Sequence, residues 1–115
     1  MKNSKNKVAA ITGAGSGIGQ QLAVLLAKQG CHLSLSDVNA QGLAQTVELL
    51  EKSNVRVTTQ KLDVADRDAM KLWAADTVQH HGSVNMIFNN AGVALGSTVE
   101  GASYEELEWI VNINF

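Results

Sequence analysis

The sequence predicts an α/β fold with a doubly wound parallel sheet. Short apolar segments alternate with amphipathic helical patterns in the order β-α-β-α-β-α-β-α, and a glycine-rich loop joins the first segment to the first helix. Strands separated by helices need right-handed crossover connections, so we expect a parallel sheet with helices on both faces. The pattern stops inside its fourth unit, which predicts a fold truncated after the fourth strand and the helix that follows it.

An apolar run at residues 8–11 predicts the first strand, and the next pattern predicts a helix from Ile18 to Gln29. Four large apolar residues are expected on one inner face of this helix: Ile18, Leu22, Leu25 and Leu26. Gly30 is expected just after the helix end, where a left-handed residue is common. Residues 32–36 predict the second strand, and Cys31 before it is expected to be a small buried side chain.

Asn39 is expected to cap the second helix, because asparagine side chains accept hydrogen bonds from the first turn. The inner stripe of that helix is expected to carry Leu43, Val47 and Leu50. A β-branched run from Val55 to Thr59 predicts the third strand. Asp66 is expected to cap the third helix. The inner face of the third helix is expected to carry Met70, Trp73 and Thr77.

His80 and His81 fall in the last turn of the third helix, where an imidazolium would interact favourably with the helix dipole. Adjacent histidines point to different sides of a helix, which favours this end-of-helix role over a metal site. Residues 85–89 then predict the fourth strand.

The loop from Thr12 to Gly19 reads T-G-A-G-S-G-I-G and is a candidate cradle for a dinucleotide pyrophosphate. Glycines allow a tight turn and leave room for phosphate against the backbone, while N–H groups of the next helix face the anion. Gln20 stands where G-x-G-x-x-G would place its third glycine, and no Lys-Ser or Lys-Thr follows as in a Walker loop. The alternative is a plain turn. The candidate binding residues here are Thr12, Gly13, Gly15, Ser16, Gly17, Ile18 and Gly19.

Polar residues end all four predicted strands, and the carboxyl ends of parallel strands share one crevice. These residues are Thr12, Asp37, Asp63 and Asn90. Asp37 follows Gly17 by twenty positions, where a carboxylate accepts hydrogen bonds from an adenosine ribose. This charge would repel a 2′-phosphate, and no Arg or Lys occupies the glycine loop or position 38, so we expect NAD rather than NADP. The alternative is that Asp37 and Asp63 only open the turns before their helices.

The segment Asn89-Asn90-Ala91-Gly92 ends the fourth predicted strand; alone, an Asn-Asn pair indicates a turn with Asx hydrogen bonds. Combined with the glycine loop, Asp37 and the pair Asp63-Val64, it resembles the short-chain dehydrogenase/reductase family. That family is known by T-G-x-x-x-G-x-G after the first strand, an acid after the second in NAD-using members, Asp-Val after the third, and N-N-A-G after the fourth. All four occur here in this order, and the resemblance covers residues 7–115.

The resemblance implies a Rossmann-like cofactor-binding part of an NAD(P)-dependent oxidoreductase, which transfers a hydride between a nicotinamide and an alcohol or carbonyl carbon. In such proteins the glycine loop holds the pyrophosphate, and the acid matching Asp37 binds ribose. The pair matching Asp63 and Val64 lies against adenine. The asparagine matching Asn90 contacts the cofactor, and the adjoining cofactor-binding candidates are Ala91 and Gly92.

The family's catalytic Ser and Tyr-x-x-x-Lys, which handle the substrate proton, are not found. The single tyrosine, Tyr104, has Glu108 four positions later, and we expect it to pack. A capping box at residues 103–106 begins a helix with no stop signal. We therefore expect a flexible tail at residues 1–6, then the N-terminal part of a longer domain at residues 7–115 that is inactive alone. A non-catalytic dinucleotide-binding or sensing module is the alternative; the N-N-A-G element disfavours a methyltransferase.

Composition excludes several classes of function. A net charge of -2 in 115 residues offers no electrostatic footprint for nucleic acid or an anionic membrane. No apolar stretch approaches the length of a membrane span, and a single cysteine excludes an intrachain disulfide. We expect a cytoplasmic protein without a metal site, which acts on a small alcohol or carbonyl and whose parent is a homo-oligomer.

Asn114 is the expected catalytic residue. On the last predicted helix it falls on the apolar side with Leu107, Ile110 and Val111, whereas Asn112 falls outside that stripe. An inward asparagine needs hydrogen-bond partners. The resemblance implies that it helps hold a water linking the catalytic lysine to a proton relay; a satisfied core asparagine is the alternative.

We predict that Asn114→Leu in the complete enzyme preserves the fold and NAD binding but lowers kcat strongly, because the water would lose its ligand. Asn112→Leu should change neither property. Circular dichroism, NAD affinity and turnover of the purified variants check this. Greater damage to turnover from Asn112→Leu, with both variants folded, would contradict the assigned helical phase.

Overall fold

Four parallel strands form one sheet in the computed structural model, which describes residues 5–90. The strands are β1 (Val8–Thr12), β2 (His32–Asp37), β3 (Val57–Lys61) and β4 (Met86–Asn89). They are connected by the helices α1 (Gly17–Lys28), α2 (Ala40–Leu49) and α3 (Arg67–His81). The spatial order β3-β2-β1-β4 confirms the predicted doubly wound parallel sheet and reverses direction between β1 and β4. Ligands of such sheets bind at the carboxyl ends of the strands beside that reversal.

The helices cover both faces of the sheet. β1 is buried along its whole length, which fits its central position between β2 and β4. The larger apolar cluster joins the sheet to α1 and α2, and its large buried members are Ile11, Leu26, Leu33, Leu35, Leu43 and Leu50. The smaller cluster lies on the opposite face beneath α3 and contains Ala10, Leu62, Trp73 and Val84. Alternate residues of β1 and β4 therefore serve two separate cores.

The predicted inner face of α1 is correct for Leu22 and Leu26, which pack in the larger cluster, and wrong for the other two residues. Ile18 and Leu25 are 73% and 53% exposed, whereas the buried positions are mainly small residues, including Ala23 and Ala27. Gly19 explains this rotation of the helix about its axis, because a Cβ there would overlap the Gly13 carbonyl oxygen. The helix therefore turns its small side chains toward the sheet so that its first turn can approach the glycine loop closely.

The predicted caps are confirmed. Asn39 accepts a hydrogen bond from Gly42 N (3.1 Å), and Asp66 accepts one from Ala69 N (3.1 Å). These bonds satisfy backbone donors that the first turn of each helix leaves free. Gly30 adopts φ +83 just after α1, as expected. The predicted tail at residues 1–6 is described only from Lys5 onward.

The third strand begins later than predicted, at Val57 rather than Val55. Asn54 has φ +60, a left-handed turn conformation that delays the strand despite the β-branched run. Arg56 N then donates to His32 Nδ1 (2.9 Å), so pairing with β2 is established at the strand entrance.

Hydroxyl groups connect α3 to the sheet. The side-chain oxygens of Ser34 on β2 and Thr77 on α3 lie 2.7 Å apart, and Thr77 Oγ1 also donates to the Trp73 carbonyl (2.7 Å). One turn later, His81 Nε2 lies 2.8 Å from Thr58 Oγ1 on β3. Polar contacts thus continue the docking of α3 beyond its apolar cluster.

The expected imidazolium at His81 is wrong. The side chain is only 8% exposed, and burial lowers its pKa from 6.5 to about 4, with the charges of Arg56, His32 and His80 acting in the same direction. His81 is therefore neutral at neutral pH. The cost of burying the cation therefore outweighs its attraction to the helix end.

We predict that the free energy of unfolding falls as pH is lowered from about 6.5 toward 4, because the unfolded chain binds a proton at His81 before the folded chain does. Urea unfolding at pH 7 and pH 5 checks this. His81→Gln should be less stable at pH 7 but lose less stability between the two pH values. His80→Gln removes only the smallest of the four causes of the lowered pKa and should show close to the wild-type loss; an equal loss in all three proteins would contradict the assignment.

Candidate functional site

The glycine loop lies at the carboxyl end of β1, beside the point where the strand order reverses. Gly13 has φ +64 and Gly17 has φ +55, so the chain makes two left-handed turns between the strand and α1. Residues with a Cβ adopt this conformation rarely. The glycines therefore permit the sharp change of direction that carries the backbone across the end of the sheet.

The loop combines an open side with a tightly packed side. A Cβ on Gly17 would meet nothing within 4 Å, and the neighbouring Ser16 and Ile18 are exposed. A Cβ on Gly15 would instead lie 2.9 Å from Asp37 Oδ2, and one on Gly19 would overlap the Gly13 carbonyl oxygen. Gly15 and Gly19 thus hold the loop against the protein, while Gly17 leaves its outer side free.

The N-terminus of α1 faces that open side. Ser16, its N-cap residue, has extended backbone and makes no capping hydrogen bond with its side chain. The N–H groups of the first turn carry the positive end of the helix dipole, which favours an anion. A phosphate group fits here because the exposed backbone at Gly17 lacks a side chain that would block it.

Asp37 lies at the end of β2 and braces the loop. Its Oδ2 accepts a hydrogen bond from Gly15 N (2.8 Å), and its Oδ1 accepts one from Asn39 N (3.0 Å). The bond from Asn39 N forms the turn that the alternative interpretation expected. The bond from Gly15 N is an additional contact, which such a turn does not require. The carboxylate remains half-exposed, so its other lone pairs can accept hydrogen bonds from a ligand.

The Asn-Asn pair supports the loop from the β4 side. Thr12 is fully buried and donates to Asn89 Oδ1 (2.9 Å), so it offers a ligand no surface of its own. Asn90 Nδ2 donates to the Gly13 carbonyl (3.4 Å). Both asparagines thereby connect β4 to the glycine loop, and a contact of Asn90 with a cofactor stays a prediction.

Asp63 and Val64 lie farther along the same edge, after β3. Asp63 is exposed and its Oδ1 accepts from Ala65 N (2.9 Å), which is the turn expected of an acid before α3. Val64 is half-buried and packs against the cluster beneath α3. Contact of this pair with adenine stays a prediction. Ala91, Gly92 and Asn114 lie outside the described residues.

Three supporting residues were missed at the sequence level. Gly42 on α2 approaches so closely that a Cβ there would lie 2.6 Å from the Gly15 carbonyl oxygen. Thr46, one turn later, donates to the Ala14 carbonyl (2.7 Å) and accepts from Gln20 Nε2 (3.0 Å). A glycine inside a helix and a threonine in an apolar stripe are the signals that could have found them, because both are poor helix formers.

Three further features bear on the chemistry of residues 5–90. In this part of the chain, no group of three or more His, Cys, Asp or Glu side chains is arranged to hold a metal ion. None of the three helices described there has the length and apolar character needed to cross a membrane. The buried Cys31 has a pKa raised to about 11 by burial, so its thiol is uncharged and unreactive at neutral pH.

Comparison with known proteins places this geometry in context. Residues 7–115 match the family model described as short chain dehydrogenase. The "Putative oxidoreductase SadH" of Mycobacterium tuberculosis is 42% identical over the whole chain, which spans 42% of that protein. The cyclohexanol dehydrogenase of an Acinetobacter species is 36% identical over 95% of the chain and 44% of its own length.

A solved structure shows the same fold. The carveol dehydrogenase of Mycobacterium avium, in complex with NAD, superposes with a TM-score of 0.75 at 27% identity, over 100% of this chain and 46% of that one. The chain thus spans less than half the length of these relatives. Since the family model matches nearly all of its residues, the chain belongs to the short-chain dehydrogenase/reductase family.

Proposed function

We propose that this chain forms the cofactor-binding part of an NAD-dependent oxidoreductase, which transfers a hydride between a nicotinamide and the carbon of an alcohol or carbonyl. The observation that carries the proposal is the open glycine cradle at the N-terminus of α1, beside the half-exposed carboxylate of Asp37. Family membership and the NAD-bound carveol dehydrogenase support the same assignment.

In this proposal, different residues of the cradle bind different parts of the cofactor. The first turn of α1, from Gly17 to Gly19, holds the pyrophosphate through its N–H groups. Asp37 accepts hydrogen bonds from the ribose hydroxyls with the lone pairs that Gly15 and Asn39 leave free. The nicotinamide supplies the hydride chemistry when bound.

NAD is preferred over NADP in this proposal because of the charge at Asp37. A phosphate on the ribose would face a carboxylate that is fixed by two backbone hydrogen bonds and cannot readily turn away. The adjacent Val38 is 58% exposed and offers no positive charge to offset the repulsion. Repulsion between the Asp37 carboxylate and the 2′-phosphate therefore disfavours the binding of NADP.

The remaining expectations are part of the same proposal. They are an adenine contact from Asp63 and Val64, cofactor contacts from Asn90, Ala91 and Gly92, and a catalytic role for Asn114. A homo-oligomeric, cytoplasmic parent and an alcohol or carbonyl substrate complete it. A substrate panel begins with cyclohexanol and carveol, the alcohols for which two relatives are named.

We predict that Gly19→Ala in the full-length gene product weakens NAD binding by roughly tenfold or more, because the added Cβ overlaps the Gly13 carbonyl and displaces the loop. Calorimetric titration with NAD checks this, and formation of reduced nicotinamide with the alcohol panel tests the reaction. Gly82→Ala is the control at the end of α3: nothing lies within 4 Å of its added Cβ, and although its φ of +85 strains an alanine and lowers stability, NAD affinity should stay at the wild-type value.

Two outcomes would change this interpretation. Equal NAD affinity in wild type and Gly19→Ala would remove the cradle from the binding site. Tight NAD binding without turnover on any alcohol or carbonyl would favour the alternative, a non-catalytic dinucleotide-binding or sensing module.

We predict that Asp37→Ser combined with Val38→Arg shifts the preference toward NADP, because the repulsive carboxylate is replaced by a nearby guanidinium. The measurement is the ratio of the NADP and NAD dissociation constants, which cancels any loss that both cofactors share. Asp76→Ser with Val78→Arg makes the same charge change on exposed positions of α3 and should leave the ratio unchanged. An unshifted ratio in the first variant would refute the role of Asp37.

A further inference from the structure

We propose that Thr46 and Gln20 are positioning residues that, with Asp37, clamp the peptide plane between Ala14 and Gly15 and so hold the glycine loop ready for a dinucleotide. This inference rests on the proposed function. The two polar groups of that peptide bond are held by side chains from different elements: Ala14 O accepts from Thr46 Oγ1 (2.7 Å), and Gly15 N donates to Asp37 Oδ2 (2.8 Å).

The hydroxyl of Thr46 has two possible acceptors and one hydrogen. Its Oγ1 lies 2.7 Å from the Ala14 carbonyl oxygen and 3.2 Å from the carbonyl oxygen of Gly42, its own helix partner four residues earlier. The shorter distance favours the loop. Gln20 Nε2 donates to the same oxygen (3.0 Å), which occupies a lone pair and directs the hydrogen toward Ala14.

The clamp matters because a glycine follows Ala14. A residue before glycine is less restrained by side-chain sterics, so without the two bonds this peptide plane could rotate. Rotation would take the Ala14 carbonyl away from Thr46 and Gly15 N away from Asp37, and so change the path of the loop that leads to the N-terminus of α1. The side chain of Thr46 is fully buried, so water does not compete for this bond.

Thr77 supplies a matched comparison within the same protein. It is also a buried helical threonine, and its hydroxyl lies 2.7 Å from the carbonyl oxygen of Trp73, four residues earlier. Thr77 is on α3, which covers the face of the sheet opposite to α2. The shortest hydrogen bond from Thr77 to a carbonyl oxygen stays within its own helix, whereas that of Thr46 reaches the glycine loop. The two positions therefore separate general stability from loop positioning.

The test is Thr46→Val in the full-length gene product, which removes the hydroxyl and preserves the side-chain shape. Calorimetric titrations give the dissociation constants of adenosine, ADP and NAD. Because adenosine lacks the diphosphate, the difference between adenosine and ADP gives the affinity that the diphosphate contributes. We expect Thr46→Val to weaken ADP and NAD by roughly tenfold and to leave adenosine nearly unchanged. Thr46→Ser should restore binding because it retains the hydroxyl. Thr77→Val should lower the Tm without changing the ratio of the adenosine and ADP dissociation constants.

Gln20→Leu is the second variant, because it removes the donor from a half-buried position without touching the loop backbone. We expect a weaker effect on ADP, of about threefold. If Thr46→Val does not fold, the ADP affinity of Gln20→Leu is the deciding measurement. An affinity equal to that of the wild type would overturn the clamp. Unchanged ADP affinity in a folded Thr46→Val also overturns it. Failure of the wild type to bind NAD or ADP would overturn the proposed function itself, whereas a binding wild type with unaffected variants overturns only the clamp.

Discussion

The close approach of the Gly15 and Gly42 backbones is the constraint on which the site depends. A Cβ on Gly42 would lie 2.6 Å from the Gly15 carbonyl oxygen, and one on Gly15 would lie 3.1 Å from the Gly42 carbonyl carbon. Only because neither residue has a side chain can the first turn of α2 lie directly under the loop. That position brings the Thr46 hydroxyl to Ala14, and the same packing accommodates the carboxylate of Asp37 beside Gly15. A glycine inside a helix costs about 1 kcal/mol relative to alanine. Here that cost accompanies the contact that orders the loop.

The features that could be predicted from sequence are local. Asn39 and Asp66 form caps because each needs only an acceptor three residues before a free N–H. Gly17 and Gly30 have positive φ because turns at these junctions require it. The crevice at the strand ends follows from parallel topology, and it does bring Asp37 and Asn90 to the same loop.

The features that could not be predicted depend on partners distant in sequence. The inner face of α1 carries Ala23 instead of Leu25, because the close contact of Gly19 with the loop, and not the hydrophobic pattern, sets its rotation. His81 is neutral because the packing of α3 on β3 buries it, which reasoning from the helix dipole alone does not include. Thr46 finds its acceptor 32 residues earlier in the chain, so its role appears only once α2 is placed.

The hydroxyl groups of Ser34, Thr77 and Thr58, which lie between α3 and the sheet, make the two faces of the sheet differ in how they are stabilised. The face that carries α1 and α2 is held mainly by apolar burial, whose contribution weakens on cooling. The opposite face has a smaller apolar cluster and adds the Ser34–Thr77 and Thr58–His81 hydrogen bonds. Hydrogen bonds are directional, so they also fix how far α3 can slide along the strands. On cooling, therefore, we expect apolar burial to lose more of its contribution on the side of α1 and α2 than on the side of α3.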